Sequence, residues 1–309
     1  MKVYTTDKIR NVVLLGHGSA GKTTLSEAMC YLAGVTSRLG SITDGNTVSD
    51  FDKIEQKRGI SLNTSLLPIE WNDYKINILD TPGYFDFIGE VEQAISVADA
   101  AIIVISGKDG LQVGAEKAWD ICEKYNLPRM IFVTDMDIDT ASYRDVIDKL
   151  TEKYGKRIAP FNLPIRENEK LVGYVNVIQE KGFRYEGKDA VPCDVPDYNV
   201  EYMNQYRDTL MEAVAETSEE FMDRYFSGDT FSEAEIRAAV RNNILDGSIV
   251  PVEMGSGIEC KGVYTLLDDI VKYLPSAESR KMNGINLKTN EIFEADFDFA
   301  KPKTAFIFK

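Results

Sequence analysis

Along the first half of the chain, short solid apolar runs alternate with stretches that carry one apolar stripe. Asn11-Val12-Val13-Leu14-Leu15 has no polar alternation, the pattern of a strand covered on both faces. A helix is predicted over Lys22–Ala33. Tyr74–Leu79, Ala100–Ile105 and Arg129–Val133 repeat the strand pattern, and Glu90–Val97, Ala115–Tyr125 and Ser142–Tyr154 the helical one. Strand–helix alternation of this kind predicts an α/β fold, a largely parallel sheet with helices on both faces. A strand at Ile249–Met254 and a helix at Gly262–Leu274, closed by Pro275 and Ser276, fit the same sheet.

Between 158 and 248 the rhythm changes. Short strand-like runs at Ala159–Ile165, Leu171–Ile178 and Phe183–Tyr185 precede helical patterns over Glu201–Phe226 and Ser232–Leu245. Ser232 with Glu235 three residues on has the form of a capping box opening the second helix. The expected organisation is therefore a main domain over 1–157 and 249–276, with an inserted α+β subdomain over 158–248. Residues 277–309 are polar and extended until Thr304-Ala305-Phe306-Ile307-Phe308-Lys309, which reads as a strand. A chain that stops inside a strand is expected to be a piece of a longer protein, with 277–309 a linker and the first strand of a second domain.

Composition narrows the chemistry. A chain of 309 residues allows two or three domains. No apolar run is long enough to span a bilayer, and Met1-Lys2-Val3-Tyr4-Thr5-Thr6-Asp7 lacks the apolar core of a signal peptide. A cytoplasmic, monomeric protein without a membrane partner is expected. Cys30, Cys122, Cys193 and Cys260 are widely separated and predict reduced, mostly buried thiols. His17 is the only histidine, which excludes a histidine-based triad or metal centre within the chain. The net charge of −15 argues against a broad phosphate-backbone-binding surface.

The strongest motif is Gly16-His17-Gly18-Ser19-Ala20-Gly21-Lys22-Thr23, which matches G-x-x-x-x-G-K-[ST] between a predicted strand and a predicted helix. Small residues let backbone N–H groups wrap phosphates, and the helix N-terminus adds positive potential. His17, Gly18, Ser19, Ala20, Gly21, Lys22, Thr23 and Thr24 are thus the candidate phosphate cradle. Lys22 is expected at the β- and γ-phosphates and the Thr23 hydroxyl at Mg²⁺. Asp80-Thr81-Pro82-Gly83 ends a second strand, where Asp80 can hold Mg²⁺ through water and the Gly83 N–H can sense a γ-phosphate. Ser61, in Arg58-Gly59-Ile60-Ser61 after a long polar connection from Thr36, is either a third Mg²⁺ ligand or a plain loop serine. Thr134-Asp135-Met136-Asp137 follows a strand. Asp137 can accept the guanine N1–H and 2-amino donors, which adenine does not offer, or Asp135 and Asp137 are turn carboxylates. Gly255-Ser256-Gly257 can meet guanine O6 through its backbone.

Taken in order, Gly16–Thr24, Arg58–Ser61, Asp80–Phe87, Thr134–Asp137 and Gly255–Gly257 resemble the translational GTPases, and elongation factor G most closely. Glu55-Gln56-Lys57-Arg58-Gly59-Ile60 is similar to that family's first switch, and Asp80-Thr81-Pro82-Gly83-Tyr84-Phe85-Asp86-Phe87 to its second. Glu212–Thr217, Gly247–Val252, Lys261-Gly262-Val263 and Tyr273–Ser276 also match its flavour. The resemblance spans nearly the whole chain. It implies a P-loop GTPase domain, an insertion of the elongation factor G type between the fourth and fifth nucleotide motifs, and Ala305–Lys309 as the start of a β-barrel. It further implies GTP/GDP and Mg²⁺ as cofactors and the ribosome, through RNA and the stalk protein, as partner. The acidic insertion residues Glu212, Glu216, Glu219, Glu220, Asp223, Asp229, Glu233 and Glu235 are then either a stalk-docking surface or a solvated helical face.

Four departures stand out. Tyr84 takes the place of the family's water-positioning histidine, so the catalytic set is expected to be Tyr84, Lys22 and Gly83, with turnover lowered. Thr134 and Asp135 replace the Asn-Lys of the guanine motif, Ser61 replaces a threonine, and Ser19 replaces an aspartate.

Overall fold

The computed structural model describes residues 2–187, 189–280, 282–295 and 305–309. From the N-terminus the elements are β1 (Ile9–Gly16), α1 (Lys22–Leu32), α2 (Lys53–Arg58), β2 (Ser65–Trp71), β3 (Tyr74–Asp80), α3 (Ile88–Ile95), β4 (Ala100–Ser106), α4 (Val113–Lys124), β5 (Arg129–Thr134), α5 (Tyr143–Tyr154) and β6 (Ile158–Pro160). Next come β7 (Asn162–Glu167), β8 (Lys170–Asn176), β9 (Lys181–Glu186), β10 (Asp189–Cys193), α6 (Asp197–Ala215), α7 (Glu219–Ser227) and α8 (Glu233–Asp246). The chain then forms β11 (Val250–Met254), α9 (Val263–Tyr273), β12 (Met282–Ile285) and β13 (Ile292–Ala295).

The main sheet has the order β2-β3-β1-β4-β5-β11-β6, parallel throughout except for the β2–β3 hairpin. Strand alternation sends Val13, Leu15, Ile103, Ile105, Ile131 and Val133 under α3, α4 and α5, and Val12, Leu14, Ile102, Val104, Met130 and Phe132 under α1 and α9. Both faces are dry, which is why these strands read as unbroken apolar runs. A mainly parallel sheet with helices on both faces is the α/β architecture that the alternation predicted.

Several local expectations change. The run Ala159–Ile165 is two strands: Ile158–Pro160 pairs with β11 at the edge of the main sheet, and Asn162–Glu167 opens an antiparallel sheet of order β10-β9-β8-β7. The helix expected over Glu201–Phe226 is broken at residues 216–218, because the Ser218 hydroxyl accepts from the Phe221 N–H at 3.1 Å and starts a new helix there. The Ser232–Glu235 capping box is present. β2, β10 and α2 were not foreseen. In α2, Asp52 accepts the Ile54 N–H at 2.7 Å while Glu55 accepts the Asp52 N–H at 3.3 Å, and Gly59 (φ 64°) ends the helix.

Beyond 276, β12 and β13 form an antiparallel hairpin. Thr304 lies outside the described residues, and residues 305–309 form no strand. Phe308 instead packs against the core under α3–α5, and Lys309 Nζ donates to Thr64 O at 2.8 Å and to Glu90 Oε2 at 2.9 Å. Among the described residues no helix is long and apolar enough to cross a membrane.

Candidate nucleotide site

The loop between β1 and α1 is built on missing side chains. Gly16 (φ 143°) lies so close to Val104 O that no Cβ fits, and Gly21 (φ 88°) takes the left-handed conformation that turns the chain into α1. Lys22, buried at that helix start, donates from Nζ to Gly16 O at 3.1 Å and His17 O at 2.8 Å. Its ammonium has lost water more than it has gained from Asp80, so its pKa falls to about 8. A buried cation ringed by carbonyls and helix N–H groups is suited to an anion, whose charge offsets the desolvation.

The turn after β3 lies directly on this loop. A Cβ on Gly83 would collide with Lys22 Nζ and stand 2.7 Å from Gly18 N and from His17 O. A Cβ on Gly18 would stand 2.9 Å from Cζ of Tyr84, so the phenol ring lies across the loop backbone. Phe85 follows, edge-on to His17 at 6.2 Å between ring centroids and with Lys117 Nζ 3.6 Å above its own ring. Gly114 at the start of α4 makes room for His17, whose Nδ1 is buried without a hydrogen-bond partner among the described residues.

The predicted cation ligands converge. Thr23 Oγ1 is 3.1 Å from Ser61 Oγ, and Ser26 Oγ donates to Asp80 Oδ2 at 3.0 Å. Asp80 is 1 % exposed, and burial raises its pKa although Lys22, Ser26, Thr23 and Ser49 all oppose the shift. Its Oδ1 lacks a geometrically sound hydrogen-bond partner among the described residues. A desolvated carboxylate with an orphaned oxygen beside two hydroxyls fits a hard divalent cation such as Mg²⁺. Sequence reasoning missed Asp50: buried, hydrogen-bonded to Ser61 and raised to about 6 by desolvation, it adds a second acid here. Its only sequence signal is a position within the long polar connection.

On the opposite side, Thr134 serves the loop rather than facing outward. Its Oγ1 donates to Ala20 O at 2.8 Å, and its side chain packs 3.3 Å from where a Gly21 Cβ would stand. Asp135 (φ 59°) accepts from Ser106 Oγ at 2.6 Å, and burial raises its pKa. Asp137, half-buried, accepts no hydrogen bond among the described residues. The turn between them is pinned by Met136 N to Gly255 O at 3.2 Å and by Arg166 of β7, which donates to Met136 O at 2.9 Å and Ala141 O at 3.3 Å. Arg166 is a second residue that the sequence did not flag; the sheet of the insertion thereby braces the base side. Gly255 leaves no space for a Cβ beside Lys261 O, the Ser256 hydroxyl accepts from Glu259 N at 3.1 Å, and Gly257 abuts Thr24, so the third motif closes onto the start of α1. The phosphate loop, Ser61, Asp80, Gly83, Thr134 and Gly257 thus meet around the first turns of α1.

Residues 7–276 match the family described as elongation factor Tu GTP binding domain. Among solved structures, a crystal structure of a protein from Thermus thermophilus is similar with a TM-score of 0.82 and 34 % sequence identity, over 87 % of this chain and 41 % of that one. The chain therefore spans about two fifths of that protein's length. With the phosphate loop, the segments around Ser61 and Gly83 and the turns at 134–137 and 255–257 built about one helix, the chain belongs to the elongation factor Tu GTP-binding-domain family.

Proposed function

We propose that this chain is the guanine-nucleotide switch of a ribosome-acting factor, serving translocation or recycling through a GTP/GDP cycle. The observation that carries the reading is the Gly83 backbone lying against Lys22 Nζ and Gly18 N. A phosphate bound between them must move the second switch, so phosphate state is converted into backbone position. Lys22 and the loop N–H groups hold the phosphates, and Thr23, Ser61 and Asp80, with Asp50 behind Ser61, hold Mg²⁺. Bound Mg²⁺ supplies positive charge to the phosphate oxygens. Asp137 selects guanine, with Asp135 and Gly255–Gly257 framing the base. The main domain over 1–157 and 249–276 carries the site, and 158–248 is the insertion. The acidic helices α6–α8 are the surface offered to the basic ribosomal stalk protein.

A second reading, a GTP-dependent binding module with little hydrolysis, is favoured by Tyr84. Its ring packs on Gly18, and a phenol is a poor proton acceptor at neutral pH. Two experiments decide. Calorimetric titration with GDP, GTP and ATP, each with Mg²⁺, is expected to show binding of the first two only; ATP binding at equal strength sinks the guanine reading. Ribosome-stimulated turnover is then compared with that of Lys22→Ala. A wild-type rate no greater than the variant's leaves the binding module, whereas a clear excess together with a slower Tyr84→Phe assigns the hydroxyl a role in orienting water.

A further inference from the structure

Glu27 lies on α1, one turn beyond Lys22 and Thr23, and is 2 % exposed. Among the described residues no cation pairs with it. Its Oε1 accepts from the Gly40 N–H at 2.9 Å and its Oε2 from the Val48 N–H at 2.8 Å. A buried carboxylate without a counter-ion is costly unless N–H donors replace its water, and here two donors from opposite ends of one loop do so. The loop between them is closed on itself, since Asn46 Oδ1 accepts from the Ser41 N–H at 2.8 Å. Gly40 is required for the approach: a Cβ there would lie 2.6 Å from Glu27 Oε1 and 2.7 Å from Asn46 O.

From Val48 the chain runs straight into the cation side of the site. Ser49 O accepts from Ser65 Oγ at 2.7 Å, the Asp50 carboxylate bonds Ser61, and Ser61 Oγ stands 3.1 Å from Thr23 Oγ1. Glu55, 1 % exposed, holds the other side of Ser61 by accepting the N–H groups of Leu62 at 2.9 Å and Asn63 at 3.0 Å. The same helix α1 therefore faces the phosphate loop with its first turn and the first switch with its second.

The geometry points to Glu27 as a positioning residue that fastens the first switch to the phosphate-binding helix and so sets where Ser61 stands. Acting together with Asp50 and Glu55 on the position of Ser61, Glu27 tunes the preference for triphosphate with Mg²⁺ over diphosphate. This role rests on the nucleotide reading proposed above.

The test uses two variants that break the clasp from opposite sides. Glu27→Gln keeps the side-chain size but turns an amide donor toward one backbone N–H, and Gly40→Ala pushes the loop off the carboxylate. Affinities for GDP and for a non-hydrolysable GTP analogue, both with Mg²⁺, are measured with amide hydrogen exchange over residues 36–63. Both variants are expected to weaken the GTP analogue about tenfold, the scale of one lost charge-assisted hydrogen bond, with GDP affinity held within about twofold and faster exchange in the first switch. Preserved GDP binding shows that each variant is folded; should Glu27→Gln fail that check, Gly40→Ala carries the test alone. An unchanged GTP-to-GDP ratio alongside faster exchange overturns the coupling and leaves a purely structural carboxylate. If the unaltered chain binds neither nucleotide, the nucleotide reading itself is wrong, and the coupling role falls with it.

Discussion

The phosphate side and the base side of the site are built by different means. On the proposed phosphate side the candidate contacts are backbone: Gly16, Gly18 and Gly83 approach their neighbours so closely that no side chain fits, and Lys22 is one of few side chains involved. On the proposed base side the candidate contacts are side chains, and two of these serve other ends. Thr134 ties the loop through Ala20 O, and Asp135 is engaged by Ser106. A backbone cradle tolerates exchange of the side chains around it, as at Ser19, whereas a side-chain contact is lost with one substitution. Departures from the family pattern accordingly weigh more heavily at 134–135 than at 19.

The largest effect expected on this comparison is that of Lys22→Ala, which removes the buried cation that the cradle surrounds. Affinity for GDP and GTP should fall about a hundredfold by calorimetry, toward the upper range for a lost hydrogen bond between charged groups. A loss under threefold would show that the backbone alone binds the phosphates. Next come the base-side exchanges. Asp137→Ala should lower guanine affinity by about tenfold and erase the preference over inosine nucleotides, which lack the 2-amino donor, while Asp135→Lys should strengthen binding several-fold by restoring a cation and an aliphatic stem. If Asp135→Lys weakens binding, the Ser106 contact matters more than the missing cation.

A further effect is expected in the pH profile. Lys22 in the free protein titrates near 8, depressed by burial, and a bound phosphate favours the charged form. Nucleotide binding then takes up a proton as pH rises through 8, and affinity should fall by up to about tenfold per pH unit above it. The sign for folding is the reverse: because the folded-state value lies below the ordinary 10.5, the unfolded chain binds more protons between 8 and 10.5, and stability rises with pH across that window. A flat binding profile from pH 7 to 9 would place the lysine charge outside the phosphate interaction.

Much of the fold was legible because its signals are local. β1, β4 and β5 read as largely apolar runs, since both faces of the sheet are covered, and the Ser232–Glu235 box announced α8. β2 was missed because its burial alternates and Pro68 interrupts it, and α2 because six residues without an apolar stripe carry only a cap. At the candidate site, the positions of the phosphate loop, Asp80 and Gly83 at the strand ends were readable from motif spacing. Asp50, Glu27 and Arg166 were not, for their roles depend on which backbone groups the fold brings to them.

The sequence by itself determined the parallel sheet, the phosphate loop and the family, since these rest on local runs and motifs and on their order along the chain. Only the tertiary structure decided that Tyr84 lies across Gly18, that Asp135 turns to Ser106, and that Glu27 joins α1 to residues 40 and 48. Contacts across such separations have no periodic signature; they exist because a buried donor or acceptor must find a partner wherever packing places one.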